Sequence, residues 1–475
     1  MESLRGKTIK GIIWSGIERF SAQGVHVLVM LVIARILTPK DFGLIGMLAI
    51  FIAVAQSLVD SGFSQALIRK QDRTEEDNST VFYFNILVSV FLYAVLYVIA
   101  PWVADFYNEP QLCSLMRVLC IVIVINSFSV VQRALYTATI DFKTQAKATL
   151  SAAVISGGIG IWMAITGIGV WTLVWQQFIS TVVNNILLWY NSYWRPKLLY
   201  SWNSFRELFS FGSKLMISGL IDTIYGNIYQ LVIGKVFTAA SLGHYSQAKT
   251  FAGMPSSNIN SIIQRVTYPV LSSIQDDDFR LQEKYRKLLR MSAFLVFPMM
   301  CCLAGIAKPL VRLVVGEQWD YAAKLLVPIC FNMMWYPIHS INLNLLQVKG
   351  RSDLFLKLEI IKKVIGVSII LLSIPFGLLF MCYSQIITSV VCLIINTYYS
   401  GKLIHVGFLM QMKDLSGTLF FSILIYFIVF MILPYLGNEC NQVIIGVIIG
   451  AAIFLGMTWT FGLKEWNFLI FLYKK

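Results

Sequence analysis

LVIARILTPKDFG, Leu31–Gly43, and LVIGKVFTAASLG, Leu231–Gly243, stand two hundred residues apart and read almost as one. Leu, Val, Ile, Thr and Gly recur in register, Arg35 faces Lys235, and further on Phe51 faces Phe251. Each copy closes one long apolar segment, turns, and opens the next. A helical hairpin is therefore used twice, and duplicated halves are the usual build of secondary transporters.

The composition sets the solvent. The chain of 475 residues is 57% hydrophobic and only 13% charged, with a mean hydropathy of +0.71. A soluble protein of this length cannot bury so much apolar surface, so most of the solvent must be lipid. Helices of about 20 apolar residues cross the hydrocarbon core. Fourteen stretches qualify: 11–37, 42–68, 79–100, 112–137, 148–167, 169–191, 211–236, 242–271, 288–307, 321–347, 356–374, 377–400, 416–436 and 441–463. The remainder is spread over short connections and two tails, leaving no room for a soluble domain. The expectation is an all-α, polytopic membrane protein with about 14 transmembrane helices.

Charge orients it. Lys and Arg fall before the first stretch (Arg5, Lys7, Lys10), after the second (Arg69, Lys70, Arg73), and then after every second one to the closing Lys474-Lys475. The intervening turns are nearly bare, as at 166–169 and 375–377. This is the positive-inside pattern for both termini in the cytoplasm. The one exception joins the ninth and tenth stretches, where Lys308, Arg312 and Lys324 accompany Glu317 and Asp320. The net charge of +14 thus reports topology and anionic lipid headgroups. It is not gathered on one face, so no nucleic-acid partner is implied.

Other signals are weak. The first stretch is too long for a signal peptide and holds Glu18 and Arg19, so it is expected to be retained. Eight cysteines form no CxxC pair, and seven sit in or beside apolar helices, where packing is their role. No metal or cofactor is implied. Asp276-Asp277-Asp278 resembles a sugar-nucleotide motif, but with no nucleotide-binding domain it reads as the cap of the helix that follows. There is no Walker motif, so ATP does not drive the chain directly.

Six spans separate the repeated hairpins. An even number preserves direction, so the halves are parallel repeats related by an axis along the membrane normal. The expected organisation is a six-helix bundle at 1–191, an aromatic and basic interfacial linker at 192–210, a second six-helix bundle at 211–400, and two additional helices with a tail at 401–475. The linker reads as a short amphipathic helix on the inner interface.

Charges inside apolar helices cost about 2.5–3.5 kcal/mol each and need a partner or a wet cavity. At about 1.5 Å per residue, Glu18 and Asp60 come out roughly 10 and 12 Å above the inner boundary, with Arg19 beside them. Two readings stand side by side: a cation or proton site, and a static Arg19–Asp60 pair locking two helices. Asp222 falls about 16 Å deep, near the midplane, and Tyr225, Asn227, Tyr229 and Gln230 follow it. The next stretch brings His244, Gln247 and Lys249, then GMPSSNINS at Gly253–Ser261. Gly and Pro at this depth, with Ser and Asn to re-satisfy the backbone, suggest a kinked helix lining a cavity. Arg133 and Arg265 are placed either to bind phosphate oxygens or to snorkel to headgroups. His339 reads as a hydrogen-bonded packing residue.

WSGIERF (Trp14–Phe20), LTPKDFGLIGM (Leu37–Met47), DSGFSQALI (Asp60–Ile68) and INLNLLQVKGRSDLF (Ile341–Phe355) resemble polysaccharide-repeat flippases of the multidrug/oligosaccharidyl-lipid/polysaccharide exporter superfamily. The resemblance implies twelve core helices plus two in the bacterial inner membrane. It also implies export of an undecaprenyl-pyrophosphate-linked oligosaccharide for capsule, exopolysaccharide or O-antigen assembly, driven by an H+ or Na+ gradient, without enzymatic activity. Glu18, Arg19 and Asp60 fall within the matched motifs; Lys249 and Asp222 are carried by position only.

The combined expectation is an alternating-access flippase. Arg19, Lys249 and Arg265 would meet the pyrophosphate, Tyr225, Asn227 and Tyr229 the sugar, and Glu18, Asp60 and Asp222 the coupling ion. A cation-coupled multidrug exporter of the same fold is the alternative. Such a site should be acidic and aromatic, and the several intramembrane Lys and Arg residues weigh against it. A membrane-bound polymerase would need a large outer loop, and the outer connections are short.

Overall fold

The computed structural model describes residues 21, 23–60 and 62–460. Among the described residues helix is the only regular secondary structure, and every one of the fourteen apolar stretches carries helix. Seven helices are long and apolar enough to cross a membrane, or eight if one bent pair is a single span. The stretches that fall short are interrupted or more polar. Lys357, Glu359, Lys362 and Lys363, for example, all lie in one helix. The chain divides into two compact units, 1–243 and 244–475.

The first unit holds α1 (Gln23–Ile36), then α2 (Pro39–Asp60), α3 (Phe63–Arg69), α4 (Glu75–Tyr107), α5 (Gln111–Leu119), α6 (Ile121–Ser127), α7 (Val130–Ala138), α8 (Phe142–Ile165), α9 (Trp171–Asn191) and α10 (Trp202–Val236). The repeated motif explains how α2 and α11 (Ala239–Ser272) begin. The Thr38 hydroxyl accepts from the Asp41 amide, and the Asp41 carboxylate accepts from the Thr38 amide at 2.9 Å. Two hundred residues on, the Thr238 hydroxyl accepts from the Ser241 amide at 3.1 Å. Each cap satisfies helix-end donors that would otherwise be orphaned.

The glycines of the same motif let the two helix starts touch. A Cβ on Gly43 would lie 1.7 Å from the Ala239 carbonyl oxygen, and one on Gly243 would lie 1.8 Å from that of Pro39. Gly62 and Gly212 meet in the same backbone-to-backbone manner, each a Cβ's clash from the other. Small residues at such crossings supply the packing that holds helices together in lipid.

Helix α4 shows the polarity expected of a lipid-facing protein. Asp77, Asn78, Ser79, Thr80, Asn85 and Ser89 are buried, while Leu87, Phe91, Val98 and Trp102 are exposed. Its start is fixed by a capping box between Thr74 and Asp77. Lys70 then bridges Asp77 and Glu207, at 3.1 and 3.0 Å.

Two expectations about this unit change. The stretch 112–137 is not one straight helix: it is bent by 42° between Ser127 and Val130. The Ser127 and Ser129 hydroxyls donate to carbonyls three residues back, at 2.7 and 3.1 Å. This competes with the helical ladder and favours a bend. The linker is also not a separate helix. Residues 192–201 run as an irregular strap, and Trp202 already starts the 35-residue α10. The strap is tied down where the Lys197 and Ser201 amides donate to the Ser79 and Thr80 hydroxyls, at 3.2 and 3.0 Å.

The second unit holds most of α11, then α12 (Asp278–Gly305), α13 (Ala307–Val315), α14 (Asp320–Met333), α15 (Tyr336–Val348), α16 (Ser352–Ser373), α17 (Leu378–Ile404), α18 (Phe408–Ile432) and α19 (Glu439–Thr460). The Asp277 side chain caps α12, accepting from the Arg280 amide at 3.0 Å, so the acidic run is a helix start. The predicted span 321–347 is split at Met334 and Trp335, with Pro337 in the first turn of α15, a position proline tolerates because its missing N–H is unused there. Tyr285, Phe297 and Trp319 form the fully buried bulk of the unit. Arg286 holds Asp414 through two 2.6 Å hydrogen bonds, clamping α12 to α18.

Candidate functional site

Glu18 and Arg19 lie outside the described residues, as does the side chain of Asp60, whose backbone ends α2. The remaining predicted residues occupy α10 and α11. On α10, Asp222, Tyr225 and Tyr229 stand at i, i+3 and i+7, so they share one helix face. Asp222 is exposed and the two tyrosines are half-buried. Asn227 does not belong to that face and its amide donates to the Thr223 carbonyl at 2.8 Å.

On α11, Lys249 is half-buried and Arg265 exposed. Sixteen residues separate them, roughly 24 Å along the axis and nearly half a turn around it. One pyrophosphate therefore cannot touch both at once; the helix offers two cationic stations. The run Gly253–Ser261 stays helical through Pro255. Ser256 is buried and donates to the Met333 carbonyl at 2.8 Å, pinning α11 to α14 where proline weakens the ladder. His244 sits edge-on to the rings of Trp319 and Tyr321, at 5.6 and 5.5 Å between centroids.

Two recesses in the first unit are polar. One, of about 420 Å³, is lined by His26, Ser156, Gln176, Gln177, Ser180 and Thr181 together with apolar residues including Phe42. Its hydrogen-bonding groups are neutral, as suits hydroxyl-rich ligands. The other, of about 300 Å³, is lined by Gln56, Ser64, Asn126, Val130 and Arg133. Its floor is set by the Asn126 amide donating to Gln56 at 3.4 Å. Arg133 thus opens onto a polar recess as well as lying at a helix surface.

In the second unit, polar groups are buried between helices. Tyr285 donates to the Asn342 side-chain oxygen at 2.8 Å. Gln411 exchanges hydrogen bonds with Asn342 and donates to the Ser400 hydroxyl at 3.0 Å. His339 is bonded to Ser389 at 2.8 Å and to Asn396 at 3.3 Å, a packing arrangement across α15 and α17. Sequence reasoning missed the pair beside it. Lys362 is buried and donates to Glu359 on the preceding turn of α16, at 2.5 Å. The spacing i, i+3 is visible in the sequence, but burial of the pair is not. Among the described residues no group of His, Cys, Asp and Glu is arranged to hold a metal.

The chain is similar to several known proteins. The family described as "Polysaccharide biosynthesis protein" matches residues 32–324. The teichuronic acid biosynthesis protein TuaB of Bacillus subtilis is 26% identical over 356 residues, 74% of each chain. The lipopolysaccharide biosynthesis protein WzxC of Escherichia coli is 27% identical over 366 residues, 76% of this chain and 74% of that one. Among solved structures, the lipid II flippase MurJ in an inward closed conformation superposes with a TM-score of 0.76 at 12% identity. It covers 95% of this chain and 98% of its own, which shows a shared fold.

Proposed function

The chain belongs to the polysaccharide biosynthesis protein family, and from that premise we propose that it is a flippase for lipid-linked oligosaccharide repeat units. It moves the saccharide headgroup on its polyprenyl pyrophosphate across the bacterial inner membrane while the hydrocarbon tail stays in lipid. The observation that carries this reading is the family match across residues 32–324 in a chain built of membrane helices. The fold shared with a lipid II flippase supports it.

The polar face of α10 supplies the chemistry. Tyr225 and Tyr229 offer ring faces and hydroxyls to sugar, with Asn227 near them in sequence. Lys249 meets the pyrophosphate at one level of α11 and Arg265 at another. An anionic headgroup entering lipid needs such cations at depth, because an unpaired phosphate there is strongly disfavoured. Asp222, in the same face as the tyrosines, is the coupling group for H+ or Na+, with Glu18 and Asp60 as a second set, while Arg19 joins Lys249 and Arg265 toward the pyrophosphate. Access alternates between the two faces of the membrane, with both termini in the cytoplasm.

The test is genetic and chemical together. A deletion strain should accumulate lipid-linked repeat units and lose surface polysaccharide, and the wild-type gene should reverse both. Lys249→Ala should fail to restore export at normal protein level. Full export by that variant removes Lys249 from the site, and a deletion strain with unchanged polysaccharide and altered drug sensitivity would replace the flippase with a drug exporter.

A further inference from the structure

The connection that breaks the charge pattern carries Lys308, Arg312 and Lys324. It follows the C-terminal end of the membrane-length α12, whose other end holds Arg280, Lys284, Arg286 and Lys287. These three cations therefore sit on the face that otherwise bears bare turns, where positive charge opposes the topology. A cavity of about 820 Å³ lies against them, wholly within the second unit. That is within the range of about 300–1,000 Å³ typical of small-molecule sites.

Five helices build its walls, α12 contributing Ala304 and Gly305. On α13, Lys308 and Arg312 line it at i and i+4; on α14, Asp320 and Lys324 do so at the same spacing. Opposite them stand the end of α18 and the start of α19, with Phe430, Asn438 and Gln442. Arg312 is committed to structure. It makes a two-pronged bond with Asp320 from 2.6 Å and stands 3.8 Å from Glu439 on α19, joining three helices. Lys308 and Lys324 are exposed and make no ion pair among the described residues. The Asn438 side-chain oxygen accepts from the Asn441 amide at 3.3 Å, and the Gln442 amide nitrogen donates to the Leu436 and Gly437 carbonyls at 2.8 and 3.2 Å, so Asn438 Nδ2 and Gln442 Oε1 stand with the two ammonium groups and an aromatic ring around the cavity.

We propose that this cavity binds an anionic saccharide, with Lys308 and Lys324 holding its carboxylate or phosphate and Asn438 Nδ2 and Gln442 Oε1 its hydroxyls. The assignment rests on the chain handling saccharides, and it gives the two helices outside the repeat, α18 and α19, a part in recognition. The amides favour a hydroxyl-rich ligand over a lipid phosphate, whose ester chains present no hydroxyls to them.

The experiment is calorimetric titration of the purified full chain in detergent with three probes: a glucuronate-containing tetrasaccharide, maltotetraose and farnesyl phosphate. The acidic tetrasaccharide should bind at least tenfold more tightly than maltotetraose, and more weakly as salt rises from 50 to 500 mM, roughly as expected for screened charges. Lys308→Gln/Lys324→Gln should lose at least tenfold with an unchanged unfolding midpoint, and the single Lys324→Gln serves if the double variant folds poorly. Equal binding of the neutral sugar overturns the proposal, as does undiminished binding by the lysine variants. Binding of farnesyl phosphate alone, lost in the variants, assigns the cavity to lipid and also overturns it. Cells separate this inference from the flippase reading: undiminished saccharide binding by the lysine variants sinks the site alone, whereas unchanged surface polysaccharide in a deletion strain sinks the flippase reading.

Discussion

The carbonyl oxygen of Ala239 stands 1.7 Å from where a side chain on Gly43 would begin, and the carbonyl of Pro39 stands 1.8 Å from the same point on Gly243. The contact is reciprocal: position four of each motif copy receives position zero of the other. The sequence repeat is thus also a packing repeat, made at the first turns of α2 and α11.

Gly43→Ala and Gly243→Ala should each force these helix starts apart. Overpacking of this kind costs about 1–3 kcal/mol. The readout is the thermal midpoint in detergent, with Gly158→Ala as the control, since a Cβ there meets nothing within 4 Å. Equal midpoints for Gly43→Ala and Gly158→Ala would mean that the crossing does not hold the unit together.

The Arg312–Asp320 pair predicts a pH dependence. The Arg312 hydrogen bond holds the Asp320 carboxyl below the usual carboxylate range against the opposing effect of burial, with the charges of Arg312, Lys308 and Lys324 adding to the shift. A carboxylate with a depressed folded pKa stabilises the fold above its unfolded value, about 3.9, and that contribution is lost as pH falls through the lower folded value. Asp320→Asn should therefore lower the unfolding midpoint at pH 5 to 8. The gap to wild type should narrow below about pH 4. A gap that is constant down to pH 3 would exclude the carboxylate as its source.

Much of the fold was legible because it repeats simple periods. The apolar stretches, the basic connections and the Thr38 and Thr238 caps all follow from residues close in sequence. The bend at Ser127–Val130 was not, because serine hydroxyls in an apolar helix bond either their own carbonyls or a neighbour, and only the neighbours decide. The continuity of α10 was hidden by its aromatic start, which reads as an interfacial segment. At the candidate site, the shared face of Asp222, Tyr225 and Tyr229 follows from helical spacing alone. Burial of Lys362 does not, since it depends on what α17 places against α16.

Lys362 and Glu359 offer a test of that burial. Removing one partner leaves a charge without compensation in a poor solvent, at a cost of as much as about 3 kcal/mol, whereas replacing both with leucine is tolerated. Lys362→Leu and Glu359→Leu should each reduce folded yield by size-exclusion profile, and the double variant should recover it. A double variant worse than either single change would show that the two charges do not depend on each other.

The hub at Gln411 should behave as a coupled unit. Gln411→Leu strips partners from Asn342, Ser400 and Tyr285, a loss worth about 1–3 kcal/mol for buried polar groups. Tyr285→Phe removes one strand of the same web, so the two changes together should cost less than their sum by at least about 0.5 kcal/mol. Strict additivity in chemical unfolding would mean the side chains act separately.

Helix α12 leans throughout on α18 and α19, the last two described helices. Asp414 clamps Arg286, Gln411 completes the environment of Tyr285, Phe454 packs on Phe294 at 4.7 Å, and Ile425 and Val429 share a core with Ile306. A chain cut after Ile404 would leave a guanidinium, a phenol and an apolar seam of α12 open to lipid. Such a truncation would yield a target for membrane quality-control proteases rather than a smaller transporter, so nonsense alleles near the 3′ end of the gene should be as severe as early ones.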